Sequence, residues 1–69
     1  MTNSTLEKLY NNIKKYRLAK SLTQLQLAEI LDVSVDYISL IENGKRTPSI
    51  KRLIAIAKVL EVEPCEFFK

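Results

Sequence analysis

Between Val35 and Leu40 the chain offers a carboxylate (Asp36), two hydroxyls (Tyr37, Ser39) and two aliphatic groups (Val35, Leu40) within six residues. A carboxylate accepts from cytosine N4, a hydroxyl serves as donor or acceptor, and an aliphatic group packs on a thymine methyl, so the set suits base edges in a duplex major groove. Asp36 has a second reading of equal standing, since a carboxylate near a helix N-terminus complements the helix dipole whatever it touches. From Ser21 to Gly44 there is no Lys or Arg, while Glu29, Asp32, Asp36 and Glu42 make the stretch acidic. Lys14, Lys15, Arg17 and Lys20 precede it, Lys45, Arg46, Lys51 and Arg52 follow it, and Glu61, Glu63 and Glu66 lie at the far end. A basic rim around a neutral-to-acidic centre implies phosphate contacts beside a reading surface, which the modest net charge of +3 would not indicate alone. The phosphate candidates are Lys45, Lys14 and Lys15, with the neutral donors Gln24, Ser34 and Asn43 and backbone N–H groups. Arg46 belongs with the phosphate set by charge and with the base-reading set by position. For any single surface lysine, ordinary solvation is the competing reading.

Two short helices must hold these residues. Thr23 is an N-cap with Gln26 three residues on, the spacing of a capping box. Leu27, Ile30 and Leu31 then share a face. Asp32 tolerates the left-handed backbone that a sharp turn requires. Val33 tucks under the turn, and Ser34 caps a second helix. Val35, Ile38 and Ile41 repeat along that helix before Asn43-Gly44 supplies a left-handed stop. The motif thus covers about residues 23–43 and its reading helix 34–43, with Asp36, Tyr37, Ser39 and Leu40 outward.

The remainder reads as more helix. Leu6, Leu9 or Tyr10, Ile13 and Tyr16 predict a first helix from about Leu6 to Ala19, where the two tyrosines serve packing rather than base stacking. Ser49 caps a helix with Ile50, Leu53, Ile54, Ala57 and Leu60 inward, and Pro64 opens a last short helix ending in Phe67-Phe68. No convincing strand, repeat or linker interrupts the pattern. The expectation is one all-α domain, residues 1–69, a compact bundle of about five short helices containing a helix-turn-helix, with residues 1–5 disordered.

Composition closes other classes. There is no histidine and one glycine, Gly44, so the commonest general base and any glycine-rich phosphate loop are missing, and an enzyme is not expected. The one cysteine, Cys65, reads as a small structural residue, and no metal, cofactor or ligand pocket is expected. No apolar run reaches membrane-spanning length and Met1 to Thr5 is polar and uncharged, which implies no membrane and a cytoplasmic protein.

From about Ile13 to Phe68 the chain resembles the Cro-like helix-turn-helix regulators, the XRE family of phage repressors and small bacterial regulators. The residues that carry the resemblance are Ile13, Arg17, Leu22-Thr23-Gln24, Leu27-Ala28, Val33-Ser34, Tyr37-Ile38-Ser39, Ile41-Glu42-Asn43-Gly44, Arg46, Pro48-Ser49, Leu53, Ile56-Ala57, Leu60 and Phe67-Phe68. The resemblance implies a lambda-repressor-like DNA-binding domain and transcription regulation of repressor type. The second motif helix would lie in the major groove and the first across the backbone. It further implies a buried structural ion pair between Arg17 and Glu42, favoured over DNA contact by Arg17, and a Gln24 that holds a phosphate while bracing the reading helix. The sequence departs from the pattern at Ser21 and Asp32, where glycine is commoner. At Val35-Asp36 phage repressors that read through glutamine place their amides, so a bidentate amide contact to adenine is lost there.

One small domain presents one reading helix, so the partners expected are double-stranded DNA and a second copy, a homodimer reading half-sites about 34 Å apart. Leu60, Val62, Phe67 and Phe68 crowd apolar groups into the last ten residues and are the interface candidates, as the family's last helices also imply. The alternative keeps Phe67 as a core lid, leaves Phe68 exposed and defers dimerisation to DNA. An antitoxin-type interaction module with a toxin-like protein partner, DNA binding being secondary, is the competing function.

Overall fold

The computed structural model describes residues 4–69. Helix α1 spans Ser4–Ala19, α2 Gln24–Leu31, α3 Val35–Glu42 and α4 Ile50–Leu60, and a 3₁₀ helix, Pro64–Phe68, closes the described chain. Four α-helices and a 3₁₀ turn therefore stand where about five helices were expected. The segment from Pro64 to Phe68 has five residues, and so short a piece takes the tighter i→i+3 pattern readily. Of the segment expected to be disordered, Ser4 and Thr5 open α1, and residues 1–3 lie outside the described residues.

Local chemistry fixes the helix ends. Thr23 Oγ1 accepts from the Gln26 N–H at 3.0 Å, and Gln26 Oε1 accepts from the Thr23 N–H at 2.8 Å, a complete capping box. Ser34 Oγ accepts from the Tyr37 N–H at 3.1 Å, and Ser49 Oγ from the Arg52 N–H at 3.2 Å. Three helix exits run through left-handed residues that are not glycine: Ser21 (φ 58°), Asp32 (φ 58°) and Glu61 (φ 59°). After α3, Asn43 sits at φ −90°, and the left-handed step falls on Gly44 at φ 74°. A Cβ at Gly44 would stand 3.0 Å from Tyr10 Cδ2, so the position is short of space as well as conformationally demanding.

The core gathers Leu9 and Ile13 of α1, Leu27 and Ala28 of α2, Ile38 and Ile41 of α3, Leu53, Ile56, Ala57 and Leu60 of α4, and Phe67. Two inward sets differ from the periodicity reading. In α2 the buried stripe is Leu27-Ala28 with Leu31 half-buried, and Ile30, about 100° around the helix from that stripe's centre, is 56% exposed. In α4, Ile56 takes the inward place expected of Ile54, and Ile50 and Ile54 face solvent.

The C-terminal turn is bound to α1. Asn12 Nδ2 donates to the Phe67 carbonyl at 2.9 Å, and the Tyr16 and Phe67 rings lie 6.1 Å apart in a tilted contact. Leu60 and Phe67, named as interface candidates, are fully buried core residues, as the inward face read for Leu60 and the core-lid alternative for Phe67 have it, because the 3₁₀ turn folds back and seats Phe67 inside. Val62 is half-buried, and Phe68 is exposed. Cys65 is exposed rather than a packed structural residue. Among the described residues no helix is long and apolar enough to cross a membrane.

Candidate nucleic-acid interface

Helix α3 has two unlike sides. Ile38, Ile41 and Glu42 are buried. Val35, Asp36 and Leu40 are exposed, and Tyr37 and Ser39 are half-buried.

A charged network anchors the inner side. Arg17 Nε donates to Glu42 Oε2 at 2.7 Å and Nη2 to Oε1 at 3.0 Å, a two-pronged pair between the last turn of α1 and the end of α3. Arg17 Nη1 also donates to the Leu22 carbonyl at 2.7 Å, and Gln24 Nε2 to Glu42 Oε1 at 3.1 Å. Both ions are buried, and no buried side-chain nitrogen or oxygen among the described residues lacks a partner. Charges out of water persist only when matched in this way. The network ties three elements to one glutamate and fixes how α3 projects.

The outer side continues into the loop before α4. The Arg46 guanidinium lies over the Tyr37 ring at 4.9 Å, and Arg52, from the first turn of α4, approaches the same ring at 5.9 Å. Stacking on an aromatic face holds a guanidinium while leaving its N–H fork free. Tyr37, Arg46 and Arg52 share a surface concavity with Asp32, Val33, Ser34, Thr47 and Ser49. The capped N-termini of α3 and α4 both open there, so backbone N–H groups and two guanidiniums converge. Ser34 accepts a backbone hydrogen bond and retains its hydroxyl proton for a further acceptor.

The other candidates are spread over the loop after α3, the end of α3, α2 and α1. Lys45 is exposed in the loop after α3, its N–H donating to the Leu40 carbonyl at 2.9 Å. Asn43 Nδ2 donates to Ser39 Oγ at 3.3 Å. Gln24 is drawn inward onto Glu42. Lys14 and Lys15 are exposed on α1, where Lys15 Nζ lies 5.5 Å from the Tyr16 ring centre. Tyr10 Oη and Thr47 Oγ1 are 2.9 Å apart, which steadies the loop carrying Lys45 and Arg46. Arg52 is the residue that sequence reading left out of the site. Its sequence signals are its place in the basic cluster that follows the motif and its position three residues after the Ser49 cap.

The HTH_3 family, described as helix-turn-helix, matches residues 13–67. The chain belongs to this helix-turn-helix family. Its similarity extends to the uncharacterised HTH-type transcriptional regulator MJ0272 of Methanocaldococcus jannaschii, 43% identical over 58 residues, covering 84% of this chain and 88% of that protein. Among solved structures, the restriction-modification controller protein C.AhdI from Aeromonas hydrophila superposes with a TM-score of 0.86 at 30% identity, over 96% of this chain and all of that one. A tyrosine-to-phenylalanine mutant of the controller protein C.Esp1396I gives a TM-score of 0.85 at 41% identity, over 99% of this chain and 86% of that one. Helices α2 and α3, joined through Asp32 to Ser34, both lie within the matched residues.

Proposed function

We propose that this chain is a cytoplasmic transcriptional regulator that binds double-stranded DNA sequence-specifically, as a homodimer reading an inverted-repeat operator with α3 in the major groove. The observation that carries the reading is the division of α3: a buried, ion-paired side sets its projection, and an outer side of Val35, Asp36 and Leu40 stands free beside the Arg46–Tyr37 stack. Likeness to controller proteins of restriction-modification systems supports a regulator of this small size.

In this reading the base edges are contacted by Val35, Asp36, Tyr37, Ser39, Leu40 and Arg46. Gln24, Ser34, Asn43, Lys45, Lys14 and Lys15, joined by Arg52, serve the phosphates. Tyr37 holds Arg46 close to its working position before DNA arrives, which reduces the ordering cost of the long side chain. Phosphate neutralisation supplies affinity that falls steeply with salt, and the outer side of α3 supplies discrimination.

Selection of bound sites from a random duplex library is the test. The expected product is an inverted repeat with half-site centres about 34 Å apart. Recovery of no preferred sequence, together with co-purification of a second small chain, would instead favour the protein-interaction module.

A further inference from the structure

We propose that the concavity between the N-termini of α3 and α4 is a binding site for a small phosphate monoester dianion, which on arrival takes the same groups away from DNA. The effect on DNA rests on the regulator reading above, and the binding of the anion does not.

The hollow has a volume of about 540 Å³, with Arg46, Arg52, Tyr37, Ser34 and Ser49 in its lining. That falls within the roughly 300–1,000 Å³ of small-molecule sites. The sequence predicts no ligand pocket because so small a core cannot enclose one, but this hollow forms at the surface between two helix ends. Two like charges meet in it. Arg46 and Arg52 both lie against the Tyr37 ring, at 4.9 and 5.9 Å, and among the described residues neither forms an ion pair with a carboxylate. Arg17, by contrast, is matched by Glu42. Adjacent guanidiniums repel, and an anion bridging their N–H forks removes that cost while the ring keeps them in place. The first N–H groups of α3 and α4, which have no partner within their helices, add donors from two further directions.

The charge of the hollow selects among anions. Two guanidiniums and about half a charge at each helix N-terminus face the single carboxylate of Asp32, an excess of roughly two. A phosphodiester of the DNA backbone carries one negative charge, whereas a phosphate monoester carries about 1.5 to 2 at neutral pH. The monoester is the better match. Half-buried Val33 and the Tyr37 ring supply an apolar wall for its organic part.

Amide and guanidinium NMR shifts of the full chain without DNA, titrated with phenyl phosphate, test the site, with the monoanionic diester dimethyl phosphate and sodium chloride at matched ionic strength as controls. Phenyl phosphate should give saturable shifts confined to residues 32–37 and 46–52, and the diester should bind severalfold more weakly. Arg52→Ala should weaken phenyl phosphate at least about tenfold, as the loss of a charged hydrogen bond does. Tyr37→Leu should weaken it as well, and Tyr37→Phe, which keeps the ring, should not. The chain has no histidine, so affinity that falls between about pH 7 and pH 5.5 follows the second ionisation of the monoester near 6. Binding equal to that of the diester, affinity indifferent to pH, or an unchanged affinity in Arg52→Ala would overturn the site. Displacement of a labelled duplex by phenyl phosphate, beyond that by chloride at the same ionic strength, reports the competition. Saturable binding without displacement would overturn the regulatory effect, whereas a wild type that binds no duplex would overturn DNA reading and leave the anion site standing.

Discussion

The two sides of α3 differ in what holds their residues. Ile38, Ile41 and Glu42 each have their surroundings completed by other elements, through packing or through the Arg17 and Gln24 hydrogen bonds. Val35, Asp36 and Leu40 on the opposite side are exposed. On the proposed reading of DNA by α3, a helix built in this way separates folding from reading within eight residues. The inner side decides whether the domain exists and how α3 projects, and the outer side can change without disturbing either.

The largest effects that could break this comparison lie in the charged network. Arg17→Ala or Glu42→Ala alone should cost about 3–5 kcal/mol, because each leaves the other charge buried without its partner. The double substitution should destabilise less than either single one, as chemical denaturation of the four proteins would report. Strictly additive losses would show that the pair contributes independently and that α3 is not held through it. Next, Ile38→Ala should cost about 2–5 kcal/mol, a large part of the roughly 5–15 kcal/mol typical of a small domain. Asp36→Ala on the other side should stay within about 0.5 kcal/mol of wild type. Reversal of that order in thermal melts would mean the two sides have been assigned the wrong way round.

Smaller effects sharpen the outer side. Asp36→Ala or Leu40→Ala should lose about 1–3 kcal/mol of discrimination, concentrated at one base pair, in competition binding against operator variants. Loss spread evenly over all sequences would transfer the residue to the phosphate set. Smallest is Lys45→Ala, which should weaken binding to every duplex alike and reduce the slope of log affinity against log salt by about one. An unchanged slope would place the Lys45 ammonium in solvent rather than on a phosphate.

Much of the motif was legible in the sequence because its determinants are local. The Thr23–Gln26 capping box and the Ser34 and Ser49 caps are contacts between residues three apart, and the left-handed Asp32 follows from the tight turn it must make. The pairing of Arg17 with Glu42 spans 25 residues, and family resemblance rather than local pattern anticipated it. The rotation of α4 was less accessible. Ile50, Leu53, Ile54, Ile56, Ala57, Val59 and Leu60 distribute apolar groups over much of its circumference, so the neighbouring helices determine which stripe faces inward. The same ambiguity left Leu60 and Phe67 with both a core and an interface reading, since apolar density at a chain end suits a core lid and an interface equally well. Arg52 was missed because its approach to Tyr37 exists only once α3 and α4 have packed.

The left-handed helix exits bear on how far the reading surface can evolve. Ser21, Asp32 and Glu61 carry side chains in a backbone region where a Cβ costs about 1–2 kcal/mol, while the sole glycine occupies the one exit crowded by Tyr10. Glycine at any of the three would relieve that strain and lose some of the gain to the greater freedom of the unfolded chain, leaving a net benefit of under about 1 kcal/mol each. At Ser21 and Glu61 such changes lie away from the outer side of α3, whereas Asp32 lines the concavity shared with Tyr37, Arg46 and Arg52. The domain therefore carries an unclaimed reserve of thermal tolerance, against which mutations that retune operator preference at a modest stability cost could accumulate without loss of the fold.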